Sequence, residues 1–320
     1  MTLSYEYSVG CVRAKETGLL KKQDLDLLIA SGSVDNMCAV LRDKGYDGDS
    51  VEDMISNRTE SLWSYVRSVA PDMNELDLLL CRNDLQNIKV TIKGVLSGRD
   101  FAHLLAEPYT VEPSLIREAV EQQKFSLLPD WVAEAARQAF KKTAHESDAR
   151  LGDTILDRAV SEHMLLLAEK KSDIIFEYFK TLIFYANVKT ALRCSRIGAE
   201  RNYIESALVP VDGADVRHMA ESAAAGESEL VDYLSRTDNY GCADAVAEYK
   251  KSPSAFERFA DNKVLSVAVK CRYASDGIDP LFGYIIAVEA EQKVIHIIAS
   301  GLKTGQNEAS VRERLRKIYG

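Results

Sequence analysis

Apolar residues recur at helical spacing along most of the chain, and one such stretch is unusually long. It runs from Ile174 to Arg193 and carries Tyr178, Tyr185 and Leu192 at intervals of seven residues. Seven residues make close to two helical turns, so these side chains lie on one stripe of a helix. The pattern predicts one long amphipathic helix that packs lengthwise against its neighbours.

Parts of this stretch recur twice more in the chain. The triplet Asn187–Lys189 has a counterpart in Asn87–Lys89, 100 residues earlier, and a more divergent one in Val294–His296, 107 residues later. A glycine stands eleven residues after the first position of each triplet, at Gly98, Gly198 and Gly305. Glycine just after a helical pattern is typical of a left-handed C-terminal cap, because it adopts positive φ without a Cβ penalty. We call the three stretches the signature helices.

Three copies of one helix predict an all-α chain of three similar helical domains, which we place at residues 1–98, 99–198 and 199–320. A period of about 100 residues is too long for a solenoid repeat and matches the size of a small duplicated domain. Composition agrees, since 46% of the residues are apolar and only 7 of the 320 are proline.

Weaker patterns predict the surrounding helices and turns. The expected helices lie at about residues 5–28, 34–41, 50–69, 114–123, 131–142 and 311–319. Ser33 and Asn307 are expected N-caps, whereas the run 220–226 is the most loop-like stretch of the chain. The run from Leu41 to Tyr46 is echoed by the run from Leu234 to Tyr240, a second repeated element.

Charge and cysteine content narrow the class of protein. The net charge is −9, from 40 basic and 49 acidic residues, which argues against a nucleic-acid-binding protein. The six cysteines form no C-x-x-C pair and have no histidine at zinc-ligand spacing, so we expect reduced, packed thiols without a disulfide or a metal site. The chain shows neither a signal-peptide pattern nor an apolar run near the roughly 20 residues that cross a bilayer, so we expect a soluble protein.

Two asparagines interrupt the apolar pattern of the signature helices. An asparagine inside an apolar helix is disfavoured unless its amide has partners, because an unpaired buried polar group costs about 1–3 kcal/mol. We predict that Asn87 and Asn187 form hydrogen bonds between helices and so fix the helix register.

Basic residues follow each asparagine at regular spacing. Lys89 and Lys93 are four residues apart, as are Lys189 and Arg193, so each pair projects from one helical face. One interpretation is a solvated face with salt bridges. The other is a set of cations that meets an acidic partner or a neighbouring unit. Spacing alone favours the first.

The third copy places acidic residues near a histidine. Glu289 and Glu291 precede His296, a combination compatible with acid–base or metal chemistry. Glu289 and His296 are two helical turns apart, and no second histidine or aspartate lies at a chelating interval. The chain also lacks the glycine-rich phosphate-binding motifs and the nucleophile motif G-x-S-x-G. The sequence therefore predicts no catalytic residue, no metal and no cofactor.

Taken in order, these motifs resemble the C subunit of the prokaryotic V/A-type ATPases, the relative of the eukaryotic d subunit. The resemblance covers nearly the whole chain and rests on the segments Asn87–Lys89, Tyr178–Arg193, Leu281–Glu291 and Val311–Tyr319. The third copy departs from the family pattern, in which Val288, Val294 and His296 are usually Lys, Asn and Arg. This departure leaves the fold assignment intact and bears only on the contacts of the third copy.

The resemblance implies three helical domains around a pseudo-threefold axis, arranged as a funnel on the cytoplasmic face of the membrane proteolipid ring. The tip of the central shaft would sit in the funnel. The chain would then be a non-catalytic central-stalk protein, peripheral to the membrane, that transmits torque for ATP-coupled proton or sodium transport. Its expected partners are the proteolipid ring and the central-shaft subunits.

Two alternatives remain open from the residues. A cytosolic helical scaffold unrelated to the ATPase would explain the absent chemistry but not the ordered motifs. An all-α enzyme would need an acid–base or metal cluster assembled by tertiary contacts. The candidate interface residues are Asn87, Lys89, Lys93, Asn187, Lys189, Arg193, Glu289, Glu291 and His296.

Overall fold

The computed structural model describes residues 3–145 and 149–319, and helices joined by short turns make up most of them. Sixteen α-helices lie within these residues: α1 (Tyr5–Glu16), α2 (Lys22–Ala30), α3 (Val34–Asp43), α4 (Val51–Val69), α5 (Asp77–Ser97), α6 (Pro113–Glu121), α7 (Asp130–His145), α8 (Ala149–Ala168), α9 (Asp173–Arg196), α10 (Arg201–Ala207), α11 (Val216–Ala225), α12 (Glu227–Ser235), α13 (Cys242–Lys251), α14 (Pro253–Ala268), α15 (Asp279–Lys303) and α16 (Glu308–Arg314). The described residues contain no strand, only an isolated bridge between Val211 and Ala214. The predicted all-α class is confirmed.

Contacts group the chain into two compact units. Unit 1 comprises Met1–Met73 and Asp244–Gly320, and unit 2 comprises Asn74–Ala243. The chain therefore leaves unit 1 after α4 and re-enters it within α13. The division into three similar domains at residues 98 and 198, and the pseudo-threefold funnel, stay predictions.

Unit 2 holds the first two signature helices, α5 and α9. Helix α5 packs against α6, α7 and α8, and its Ile88 and Ile92 enter a core that α6, α7 and α8 complete. Helix α9 packs against α8, α10, α11 and α12. Both signature helices thus lie against helices that follow them in sequence, and α9 also lies against α8, which precedes it.

Unit 1 is built around the third signature helix, α15, which is 25 residues long. It packs against α1, α2, α3 and α4 from the start of the chain and against α14 and α16 near the end. Val294, Ile295 and Ile298 of α15 share one core with Leu28 of α2 and Met37 of α3. The last signature helix therefore buries its apolar stripe against helices more than 200 residues away in sequence.

All three predicted glycine caps are confirmed. Gly98, Gly198 and Gly305 have φ values of 65°, 63° and 65°. In each case the N–H of the following residue donates to the carbonyl five positions earlier, as in the bond from Arg99 N to Gly94 O. This is the Schellman arrangement, which satisfies carbonyls left unpaired at a helix C-terminus.

At one position, two signature helices carry a glycine that lets the chain fold back over the helix end, and α9 carries a buried cysteine there. The three equivalent residues are Gly94, Cys194 and Gly301. A Cβ on Gly94 would lie 2.0 Å from the Phe101 ring, and one on Gly301 would lie 2.5 Å from Val311. The glycines therefore admit the side chains that cover the ends of α5 and α15, a role that the sequence reasoning missed.

The predicted helix at residues 5–28 is wrong in extent, because it is two helices, α1 and α2. Gly18 lies in the break, where a glycine costs about 1 kcal/mol relative to alanine in a helix. The Asp24 carboxylate then accepts a 2.8 Å bond from the Lys21 N–H and starts α2 anew.

Two further expectations also differ from the structure. Residues 220–225 belong to α11 rather than to a loop, because alanine favours a helix; Gly226, with φ 137°, separates α11 from α12. The last helix, α16, is capped by Asn307 as predicted but ends at Arg314. Residues 315–319 are not helical, and buried Tyr319 explains the change, since its packing in unit 1 overrides the local helical pattern.

Candidate interface residues on the signature helices

The two asparagines bind loop backbone in the same way. Asn87 is fully buried; its Nδ2 donates to the Ala106 carbonyl at 3.1 Å, and its Oδ1 accepts from the Ala106 N–H at 2.7 Å. Asn187 does the same with Val209, at 2.7 and 2.9 Å. The predicted need for amide partners is confirmed. The predicted inter-helix partner is wrong, because a carboxamide offers a donor and an acceptor that match both peptide groups of one loop residue.

The position three residues before the first residue of each triplet also has a distinct role in packing. In α5 it holds Asp84, which is fully buried and accepts from the Thr110 N–H at 2.9 Å, the Thr110 hydroxyl at 2.5 Å and the Val111 N–H at 3.0 Å. Asp84 and Asn87 together hold the loop from residue 106 to residue 111 along α5. Sequence reasoning missed Asp84, although an acid on the apolar stripe of a helix is a usable signal.

In α15 the same position holds Glu291, which is 1% exposed. One carboxyl oxygen accepts from the Leu20 N–H and the other from the Tyr46 hydroxyl at 3.1 Å. Burial raises the pKa of Glu291 to about 7, and the donors and the Arg58 charge only partly offset this effect. Burial, with the neighbouring Glu291, also raises the pKa of Tyr46.

In α9 this position holds Phe184, which stacks on Tyr240 with ring centroids 4.3 Å apart. Tyr46 and Tyr240 are the tyrosines that end the two echoed runs of sequence. Each therefore contacts the equivalent residue of a signature helix, Glu291 for Tyr46 and Phe184 for Tyr240. That the two runs are a repeated structural element stays a prediction.

The basic residues of α5 are paired inside unit 2. Lys89 lies 2.5 Å from Asp157 and Lys93 lies 2.7 Å from Asp153, so two ion pairs join α5 to α8. The two acids are four residues apart and match the spacing of the two lysines. For these lysines the structure supports the salt-bridged interpretation.

The two basic signature residues of α9 differ in burial and in their contacts. Lys189 is half-buried and interacts within the chain. Arg193 is exposed, and its guanidinium forms no hydrogen bond or ion pair with any residue in the described ranges, whereas Arg196 pairs with Glu227 at 3.1 Å. It is the basic signature residue of unit 2 that faces solvent without an internal acid.

The three candidates in α15 are divided between core and surface. Glu291 faces the core, whereas half-buried Glu289 and exposed His296 line a cavity of about 480 Å³ together with Lys293 and Arg314. The structure therefore does not bring Glu291 together with His296. No group of three or more His, Cys, Asp or Glu side chains in the described residues is placed to hold a metal ion.

Within the described part of the chain, no helix combines the length and the apolar character that crossing a membrane requires.

The long packed helices define an all-α protein, in which most of the polar signature residues form bonds inside the chain. Comparison with known families agrees, since the model of the family described as ATP synthase (C/AC39) subunit matches residues 8–314. The chain belongs to this family, whose members are structural rather than catalytic components of rotary ATPases. The resemblance drawn from the motifs is thus confirmed.

Individual relatives are similar to this chain over nearly its full length. The C subunit of the V-type sodium ATPase of Enterococcus hirae is 20% identical over 319 residues, 96% of this chain and 97% of that protein. The C subunit of the A-type ATP synthase of Methanocaldococcus jannaschii is 25% identical, covering 93% of this chain and 82% of that protein. The C subunit of the A-type ATP synthase of Methanothermobacter thermautotrophicus is 26% identical, covering 97% of this chain and 87% of that protein.

Proposed function

We propose that this chain is the central-stalk component that connects the central shaft of a V/A-type ATPase to its membrane proteolipid ring. In this role it transmits torque for ATP-coupled proton or sodium transport, while nucleotide hydrolysis takes place in other subunits. The observation that carries the proposal is the family match over residues 8–314. The protein would be peripheral, on the cytoplasmic face of the membrane, with three helical domains arranged as a funnel.

The packing of each unit supports a mechanical role. Close-packed interiors have low compressibility and transmit strain, so a torque-bearing part needs long packed helices more than a reactive side chain. Helix α15 is 25 residues long and is packed by six other helices of unit 1. In unit 2, Asp84, Asn87 and Asn187 pin loop backbone to the signature helices and so restrict local movement.

The exposed signature residues are the remaining candidates for contact with the ring or the shaft. Lys89 and Lys93 are neutralised by acids of α8. Arg193 and His296 are exposed. We therefore propose Arg193 and His296 as the signature residues that meet acidic or polar groups of a partner protein in the complex.

The proposal predicts which proteins accompany the chain. A tagged copy purified from its native membranes in mild detergent will bring down the proteolipid, the shaft subunits and the nucleotide-binding subunits, as identified by mass spectrometry. Depletion of the chain will abolish ATP-driven pumping in the same membranes. Recovery of soluble proteins alone, with pumping unchanged after depletion, would contradict the proposal and favour the helical scaffold.

A charge reversal tests Arg193 itself. Arg193→Glu will weaken recovery of the complex about tenfold, the equivalent of about 1.4 kcal/mol, because a like-charge contact replaces an attractive one. Its thermal melting will match that of the wild type, since the side chain is exposed. Arg150→Glu on the exposed face of α8 is the matched control. Equal recovery of both variants would make Arg193 an ordinary surface residue.

A further inference from the structure

A single carboxyl group of α15 holds both ends of the segment that contains α2 and α3. Leu20 lies just before the α2 N-cap, and its N–H donates to Glu291. Tyr46 lies just after α3, and its hydroxyl donates to the other oxygen of Glu291 at 3.1 Å. The two-helix segment is therefore attached at its beginning and its end to one titratable side chain.

This carboxyl group is buried and forms no ion pair within the described residues. Glu291 is 1% exposed, and no basic side chain of the described residues forms an ion pair with it. At the equivalent position Asp84 has three donors, whereas Glu291 has two. A buried carboxylate without a paired cation is costly, and such groups take up a proton instead. In the neutral form the Glu291 O–H can donate to the Tyr46 hydroxyl oxygen.

The charged groups around Glu291 have opposite effects on its ionisation, and these effects partly cancel. Arg58 of α4 lies 5.4 Å from the centroid of the Tyr46 ring and favours the ionised form of Glu291. Asp24 of α2 opposes ionisation but is itself paired with Lys44 at 2.6 Å. On α1, the acid Glu16 is paired with Arg13 at 2.8 Å, and on α15 Tyr284 is a neutral neighbour whose pKa is raised, mainly by burial. Burial of Glu291 therefore remains the dominant influence.

We propose that Glu291 is a proton-operated clamp, which in its neutral form holds α2 and α3 on α15 and on ionisation loosens these two helices from the rest of unit 1. The step is the loss of one proton to water. The ionised carboxylate favours the opened state because water then replaces the apolar surroundings. This inference concerns unit 1 alone and does not depend on the proposed rotor function.

The direction of the pH effect follows from linkage. The pKa of Glu291 is about 7 when the segment is attached, and its ordinary value is 4.5. A group whose pKa is raised in the closed state stabilises that state at low pH, and the stabilisation is lost as pH rises to the raised value. Between about pH 5.5 and pH 8.5 the opening constant will increase about thirty-fold and then level off.

Hydrogen exchange measures this opening directly. In the full chain, amides of α2 and α3 are followed across this pH range, with correction for the intrinsic pH dependence of exchange. The wild type will show the thirty-fold rise, whereas Glu291→Gln will show less than about a threefold change, because the amide does not titrate. Amides of α7 in unit 2 provide the internal control. The same rise in both proteins, or no rise in the wild type, would overturn the clamp.

A second variant keeps the proposal testable if Glu291→Gln does not fold. Tyr46→Phe removes one of the two donors to the carboxylate, which raises the pKa of Glu291 further. The midpoint of the opening transition will therefore move to higher pH. A purely structural role for Tyr46 would increase opening equally at every pH and leave the midpoint where it was, which would contradict the clamp.

Discussion

Replacing Asp84 with alanine will lower the free energy of unfolding of unit 2 by about 2–4 kcal/mol, because donors that bind its carboxylate lose their acceptor. The substitution removes the acceptor of the Val111 N–H, which is buried, and of both donors of Thr110, which lies nearer to solvent. Water can replace the acceptor at Thr110 but not at Val111. The loop from residue 106 to residue 111 will then be held on α5 by Asn87 and by Asn83, whose Nδ2 donates to the Pro108 carbonyl at 2.7 Å.

The measurement must report on unit 2 separately, because a chain with two units need not unfold in one transition. The chain has two tryptophans, Trp63 in unit 1 and Trp131 in unit 2. In a Trp63→Phe background, the fluorescence of Trp131 in urea follows unit 2. Asp157→Ala is the control, since its exposed ion pair with Lys89 contributes less than about 1 kcal/mol. An equal loss of unfolding free energy in both variants would show that Asp84 does not hold the loop.

Local features of the fold could be predicted from the sequence because their causes are local. The caps at Gly98, Gly198 and Gly305 depend on the conformational freedom of one residue type after an apolar pattern. The requirement of Asn187 for a partner follows from the cost of burying an amide. Each of these predictions uses only the residue and its immediate neighbours.

The identity of the partners could not be predicted, since it depends on contacts between distant segments. Glu291 and Leu20 are 271 positions apart, and no local pattern indicates that the third signature helix packs on the N-terminal helices. Tyr319 illustrates the same limit, because its burial in unit 1 ends a helix that the apolar spacing would continue. The spacing of Asp153 and Asp157 was an available signal for the partners of Lys89 and Lys93.

Replacing Asn187 with alanine will cost unit 2 about 2–4 kcal/mol, because it leaves both main-chain groups of Val209 unpaired. Val209 is 4% exposed, so water cannot replace the lost bonds without opening the structure. Asn202→Ala is the matched control on the exposed face of α10, where the same change is neutral or slightly stabilising. Urea unfolding with the Trp131 probe compares the two variants, and similar midpoints would contradict the role of Asn187.

Asn187→Asp separates the two hydrogen bonds of this amide. The introduced carboxylate keeps an acceptor for the Val209 N–H, but its second oxygen faces the Val209 carbonyl, which the native Nδ2 approaches to 2.7 Å. At neutral pH the charged group has an acceptor opposite it in a buried site, so this variant will be at least as unstable as Asn187→Ala. At low pH the protonated form can donate to that carbonyl. Its pKa is therefore raised in the folded state, and the stability of the variant relative to Asn187→Ala will increase as pH falls. A pH-independent difference between the two variants would show that donation to the Val209 carbonyl contributes nothing.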